Sequence, residues 1–165
     1  MKILITEPES YSKEALEIYY RLGEVTLVDG ELQDIKSYLP DTDILVVKLK
    51  FTWSESILAY AQSLKFIVTS TTGLNHIKLP SNSNVKIISL KGEVDFLRTV
   101  TPTAELTWGL IIALLRNFYS AVCSVKNFVW DRNQHFGQEL FGKNIGIIGY
   151  GRLGTMITKY AIAFG

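Results

Sequence analysis

The stretch Asn144-Ile145-Gly146-Ile147-Ile148-Gly149-Tyr150-Gly151-Arg152-Leu153-Gly154 decides how this chain is read. Gly149, Gly151 and Gly154 stand in G-x-G-x-x-G spacing, directly after a strand-like apolar run and directly before a helix-like one. The spacing alone is common; between strand and helix it is a dinucleotide fingerprint. The first glycine makes a tight turn, the second lets backbone approach a pyrophosphate, and the third lets helix and strand pack closely. The N-terminus of the helix then faces the phosphates. The alternative is a tight strand-to-helix turn with no ligand. A complete site also takes an acidic residue roughly 20 positions further on, to hold the ribose hydroxyls. Eleven residues follow Gly154, and none is Asp or Glu. The expectation is a phosphate turn without its ribose partner, and a dinucleotide that this chain alone does not hold.

Composition narrows the class. A chain of 165 residues fits one ordinary domain, or one domain plus a piece of another. Hydrophobic residues make up 47% and charged ones 20%, which is globular composition. A net charge of +1, with no run of Lys or Arg, gives no footprint for nucleic acid. Cys123 is the only cysteine, which excludes disulfide frameworks and cysteine-rich metal sites within one chain. Its apolar neighbours Ala121, Val122 and Val125 suit a small packed residue better than a nucleophile. The longest apolar stretch, Leu106 to Leu115, is about half the roughly 20 residues that span a bilayer. With no secretory pattern at the N-terminus, no membrane partner and a cytoplasmic location are expected.

Short β-rich runs alternate with helical patterns before the glycine turn. Ile3 to Ile5, Val25 to Val28, Ile44 to Val47, Phe66 to Val68 and Val85 to Ile88 read as five strands. Tyr11, Ala15, Ile18, Tyr19 and Leu22 repeat at helical spacing, with Gly23 as a stop. Ile35 to Leu39 reads as a short helix before Pro40. Thr52-Trp53-Ser54-Glu55 has capping-box spacing and predicts a helix through Ile57, Leu58, Ala61 and Leu64. This alternation predicts an α/β fold, an open parallel sheet covered by helices, in the flavodoxin-like size class. A long helix follows, with Thr101 as its cap and Pro102 at its first position. Leu106, Trp108, Leu110, Ile111, Ile112, Leu114 and Leu115 cover more than one of its faces, which predicts burial on several sides. Phe118 to Trp130 reads as another helix, and Asp131 to Lys143 as a loop into a strand at Ile145 to Ile148.

Several segments together carry a family resemblance. They are Thr71-Thr72-Gly73-Leu74-Asn75-His76-Ile77; Thr103-Ala104-Glu105-Leu106-Thr107 running on to Ile111-Ile112-Ala113-Leu114-Leu115-Arg116-Asn117; and Trp130-x-Arg132, Gly137-x-Glu139-Leu140-x-Gly142-Lys143, leading into the glycine turn. In this order the chain resembles the N-terminal half of the D-isomer-specific 2-hydroxyacid dehydrogenases, the group of D-3-phosphoglycerate, glyoxylate and hydroxypyruvate dehydrogenases. The resemblance implies three parts. Residues 1–97 would form a flavodoxin-like substrate domain, 98–130 the interdomain helices, and 131–165 the first βα unit of an incomplete NAD-binding Rossmann domain.

The resemblance also implies roles. Gly73 and Leu74 would offer backbone N–H groups to a substrate carboxylate. Lys48 falls near where members often have Arg, and Thr99 where they often have a substrate-contacting Asn; both depart from the pattern. Gly149, Gly151 and Gly154 would form the cofactor turn, with Arg152 and Leu153 over the pyrophosphate, Arg152 through backbone and guanidinium. The implied cofactor is NAD, with NADP left open, and the implied substrate a small 2-hydroxy or 2-oxo acid. His76 and His135 do not match the family's catalytic histidine, so no catalytic and no metal-binding residue is assigned. A homodimer through residues after Thr101 is expected, and no activity from this chain alone. The competing readings are a non-catalytic carboxylate-binding or regulatory paralogue and a dimerising structural protein.

Overall fold

Five short apolar runs pair into one parallel sheet because each finds a neighbour within reach of its backbone. The computed structural model describes every residue from Met1 to Gly165. Its elements are β1 (Lys2–Ile5), α1 (Lys13–Leu22), β2 (Glu24–Leu27), α2 (Leu32–Ile35), β3 (Ile44–Val47), α3 (Glu55–Leu58), β4 (Phe66–Thr69) and β5 (Lys86–Ile88). They are followed by α4 (Val94–Arg98), α5 (Pro102–Leu115), α6 (Phe118–Lys126) and α7 (Arg152–Ala163). The strand order is β2-β1-β3-β4-β5 with every pair parallel, the flavodoxin-like arrangement. The chain divides into two compact units, Met1–Glu93 and Val94–Gly165.

In the first unit, register stacks like with like. Leu4 lies beside Leu45, Leu45 beside Ile67, and Ile67 beside Ile87. This row packs with Ile35, Leu39, Trp53 and Leu58 on one face of the sheet. Alternate residues Ile3, Ile5, Ile44 and Val46 meet Tyr11, Leu16 and Tyr19 on the other. All four side chains of β3 are buried, as expected of a strand covered on both faces. The Ser12 hydroxyl accepts the Ala15 N–H at 3.2 Å and caps α1. Gly23 then lies so close to Met1 that a Cβ would collide with its carbonyl, and this approach lets Glu24 start β2 beside β1.

The capping box expected at Thr52 does not form. Trp53 makes an isolated parallel bridge with Ile77: its N–H donates to His76 O at 2.7 Å, and its carbonyl accepts the Lys78 N–H at 2.8 Å. Those bonds hold residue 53 extended, so the helix starts after Ser54 and regular α-helix ends at Leu58.

In the second unit, Ala104 and Trp108 of α5 pack against Ile157 of α7, with Ile111, Met156 and Tyr160 around them. Trp108 meets Tyr160 and Phe164 edge to face, at 6.2 and 5.1 Å between ring centroids. The segment expected to be a separate connection, 98–130, thus shares a core with the glycine-turn helix. Asn117, at φ 50°, breaks the chain between α5 and α6. Burial of α5 on several sides is not met within this chain: Leu106, Leu110 and Leu114 are 64, 61 and 78% exposed. The strand expected at Ile145–Ile148 is also not formed. No second strand lies beside it, so its backbone has no ladder to join, and Ile148 is fully exposed. No single helix is long and apolar enough to cross a membrane.

Leu45 sits fully buried where rows from four strands meet. Leu45→Ala is expected to lower the stability of the first unit by about 2–5 kcal/mol, measured as a shift of the denaturant midpoint.

Candidate functional site: a loop edge and a glycine turn

In the first unit, the loops after β1, β3 and β4 emerge at the carboxyl edge of the sheet, where open α/β folds bind ligands. The buried Glu7 carboxylate ties two of them together. It accepts the Lys48 N–H at 2.8 Å and the Lys50 N–H at 3.3 Å. Glu7 escaped the sequence reading; the available signal was a carboxylate directly at the end of a strand and before Pro8.

The side chain of Lys48 is already occupied. Its ammonium donates to Ser10 O at 2.5 Å and lies 4.5 Å from the centre of the Tyr11 ring. Burial raises the Tyr11 phenol pKa, so the ring stays a neutral platform, and its hydroxyl donates to Val47 O at 3.4 Å. Lys50 instead pairs with Asp29 at 3.1 Å. An anion at this edge has to draw the Lys48 ammonium away from Ser10 and Tyr11 or be met by backbone alone.

The third loop offers that backbone. The Thr71 hydroxyl donates to Gly73 O at 2.8 Å, and Ile77 N–H donates to Leu74 O at 3.0 Å. The N–H groups of Gly73 and Leu74 have no acceptor within the chain. Two adjacent free N–H groups in a tight turn suit a carboxylate. A Cβ at Gly73 would meet nothing within 4 Å, so the turn and not the absent side chain matters there. His76 follows in the same loop. Burial of its ring lowers its pKa, with the nearby Glu7 charge opposing, and its Nε2 is buried without a partner. Lys48, Gly73 and Leu74 therefore share one edge of one unit.

Thr99 belongs to the second unit. It is exposed, and its hydroxyl donates to Phe96 O at 2.7 Å. His135 also lies there, with Nδ1 3.1 Å from the Ser120 hydroxyl. Cys123 is half-buried, and no group of three His, Cys, Asp or Glu side chains gathers as a metal site.

The glycine turn has the geometry that its spacing predicts. Gly149 has φ +91°, a conformation open to glycine and strained for other residues. A Cβ at Gly151 would meet nothing within 4 Å, leaving open backbone at the mouth of the turn. A Cβ at Gly154 would sit 2.5 Å from Gly149 O and 3.3 Å from Ile147 Cγ2, so the third glycine permits the close approach of helix and turn. Gly151 caps α7 with no side chain, and the N–H groups of Arg152 and Leu153 have no acceptor. Free N–H groups and the positive end of a helix dipole fit a pyrophosphate. The guanidinium also has partners within its own unit. Nη1 of Arg152 donates to Leu97 O at 3.1 Å and to Val100 O at 2.8 Å.

Comparison with known proteins decides the family. Residues 3–94 match the "D-isomer specific 2-hydroxyacid dehydrogenase, catalytic domain", and residues 108–165 match the NAD binding domain of the same family. The chain belongs to the D-isomer-specific 2-hydroxyacid dehydrogenase family. It is 34% identical over 166 residues to D-3-phosphoglycerate dehydrogenase of Methanocaldococcus jannaschii, covering 100% of this chain and 31% of that protein. It is 29% identical to hydroxypyruvate reductase of Thermotoga maritima, over 93% of this chain and 50% of the relative. This family member thus spans between about a third and a half of these relatives' length. The fold is that of the TT0316 protein from Thermus thermophilus, with TM-score 0.86 and 22% identity, over 100% of this chain and 54% of that one.

The glycines give a paired test. Gly154→Ala is expected to destabilise the second unit by about 1–3 kcal/mol, because the turn has to shift. Gly151→Ala is expected to leave stability nearly unchanged, because its Cβ enters open space. Thermal melting of the two variants beside the wild type measures both.

Proposed function

We propose that the chain is the N-terminal part of an NAD(P)-dependent oxidoreductase acting on the CH–OH group of a small D-2-hydroxy acid. The observation that carries this reading is the glycine turn, with two unpaired N–H groups at the start of α7, inside a segment that matches an NAD binding domain. Gly149, Gly151 and Gly154 would shape the cradle, and the backbone of Arg152 and Leu153 would hold the pyrophosphate. The nicotinamide, when bound, supplies hydride exchange with the substrate carbon. At the sheet edge, Gly73 and Leu74 would take the substrate carboxylate, and Lys48 would neutralise it after leaving Ser10 and Tyr11. The resemblance to D-3-phosphoglycerate dehydrogenase and hydroxypyruvate reductase supports the substrate class.

Binding and orientation are what these residues can do; none is positioned as a proton-transfer group. The 165-residue chain is therefore expected to show no NADH oxidation above background with glyoxylate, hydroxypyruvate or 3-phosphohydroxypyruvate. Calorimetry with NAD⁺ is expected to give a dissociation constant weaker than about 1 µM, the value that corresponds to about −8 kcal/mol. Turnover that survives repurification and disappears on mutating Lys48 or Gly151 would reject the non-catalytic reading of the isolated chain.

A dimer through residues after Thr101 is part of the same proposal. Leu106, Leu110 and Leu114 form an exposed apolar stripe at i, i+4, i+8 on α5. Beside Ile145, a cleft of about 340 Å³ is lined by Trp108, Ile111, Leu115 and Phe164. An exposed apolar stripe beside an apolar cleft favours association, and the irregular 145–148 segment, whose backbone has no ladder in this chain, offers groups for pairing with a second copy. Sedimentation is expected to show a dimer, weakened by Leu110→Glu; a monomer at high micromolar concentration rejects it.

A further inference from the structure

Arg152 stands at the first position of α7, inside the phosphate turn, yet its side chain is bonded elsewhere in the same unit. Nη1 reaches Leu97 O at 3.1 Å and Val100 O at 2.8 Å. Leu97 O also accepts the Val100 N–H at 3.2 Å, beside a turn in which the Thr99 N–H donates to Phe96 O at 3.0 Å, while Val100 O has Arg152 as its partner. A cation is favoured near the carbonyl end of a helix. Thr99, the candidate substrate contact, lies between the two bonded residues.

A guanidinium carries five N–H donors in a planar fork. Nη1 uses both of its own, and the three on Nε and Nη2 have no acceptor within the chain. The backbone N–H of the same residue is also free, at the open end of the helix. One residue is thus fixed at one corner to the 97–100 segment and unsatisfied toward the turn.

We propose that Arg152 is a positioning residue that couples the phosphate turn to the 97–100 segment. Nη1 holds the Leu97 and Val100 carbonyls, while an anion at the start of α7 engages the remaining donors and immobilises the fork. Occupation of the turn then steadies the backbone that carries Thr99, and order in that backbone favours occupation in return. This rests on the phosphate-turn reading above. Lysine can replace one function of the fork but not both, because its ammonium is a single point of attachment.

Amide hydrogen exchange on the 165-residue chain tests this, with wild type, Arg152→Lys and Arg152→Met, each with and without millimolar inorganic pyrophosphate. Without ligand, the Thr99 and Val100 amides of Arg152→Met are expected to exchange about tenfold faster than wild type, from the loss of two charge-assisted bonds. Arg152→Lys should fall between. With pyrophosphate, wild type should show shifted Gly151–Leu153 amide signals together with slowed exchange at Thr99 and Val100. In Arg152→Met the slowing should vanish.

Equal ligand-free exchange in all three proteins overturns the tie. Slowing by pyrophosphate that persists in Arg152→Met overturns the coupling and leaves Arg152 a helix-end cap. No shift at Gly151–Leu153 in wild type overturns the phosphate-turn reading and the coupling with it, while the ligand-free comparison still judges the tie. If the indole N–H signal of Trp108 shows that Arg152→Met has lost its core, Arg152→Lys carries the comparison, and wild-type behaviour there in both conditions rejects the proposal.

Discussion

Strand β3 bonds along both edges, to β1 and to β4, and buries all four of its side chains. Each buried peptide group there has a partner, and this requirement governs the rest of the structure. β1 and β4 are placed by their bonds to β3, and β2 and β5 by theirs to those two. The loops that leave β1, β3 and β4 are therefore neighbours at one edge, where Glu7 can reach the 48–50 backbone and Trp53 can bridge Ile77. The same requirement explains Ile145–Ile148. It is as apolar as β3, but no ladder is available to it, and it stays irregular.

The two candidate sites rest on backbone more than on side chains. Gly73 and Leu74 present free N–H groups from a turn that Thr71 fastens. Gly149, Gly151 and Gly154 shape a second turn whose free N–H groups belong to Arg152 and Leu153. Backbone donors cost no side-chain entropy when a ligand arrives. Charged side chains nearby are held by local partners: Lys48 by Ser10 and Tyr11, Lys50 by Asp29, and Arg152 by Leu97 and Val100. The resting structure is thus donor-rich at the turns while its cations are fixed to neighbouring groups.

Much of this was legible in the residues. Ile44–Val47 announced a doubly covered strand by its unbroken apolar run, and Gly23 marked the end of α1, while the cap at Ser12 came to light only in the structure. The glycine triplet named its own geometry, down to the collision that a Cβ at Gly154 would cause. What stayed hidden depended on contacts distant in sequence. Thr52 and Glu55 have the spacing of a capping box, but a bridge to Ile77 claims Trp53. The apolar faces of α5 read as buried, yet the chain contains too little surface to cover Leu106, Leu110 and Leu114. The partners of Glu7 and of the Arg152 guanidinium give no local signal, since they lie 41 to 55 positions away.

The sheet also has a consequence for how the chain comes into being. All five strands find their partners between Lys2 and Ile88. A ribosome that has released this stretch has released everything the sheet needs. Synthesis proceeds at about 5–20 residues per second, so the first unit has seconds to fold before the glycine turn emerges. The strands of the sheet can therefore pair with one another before the apolar run at Ile145–Ile148 appears, an order of emergence that works against mispairing during translation.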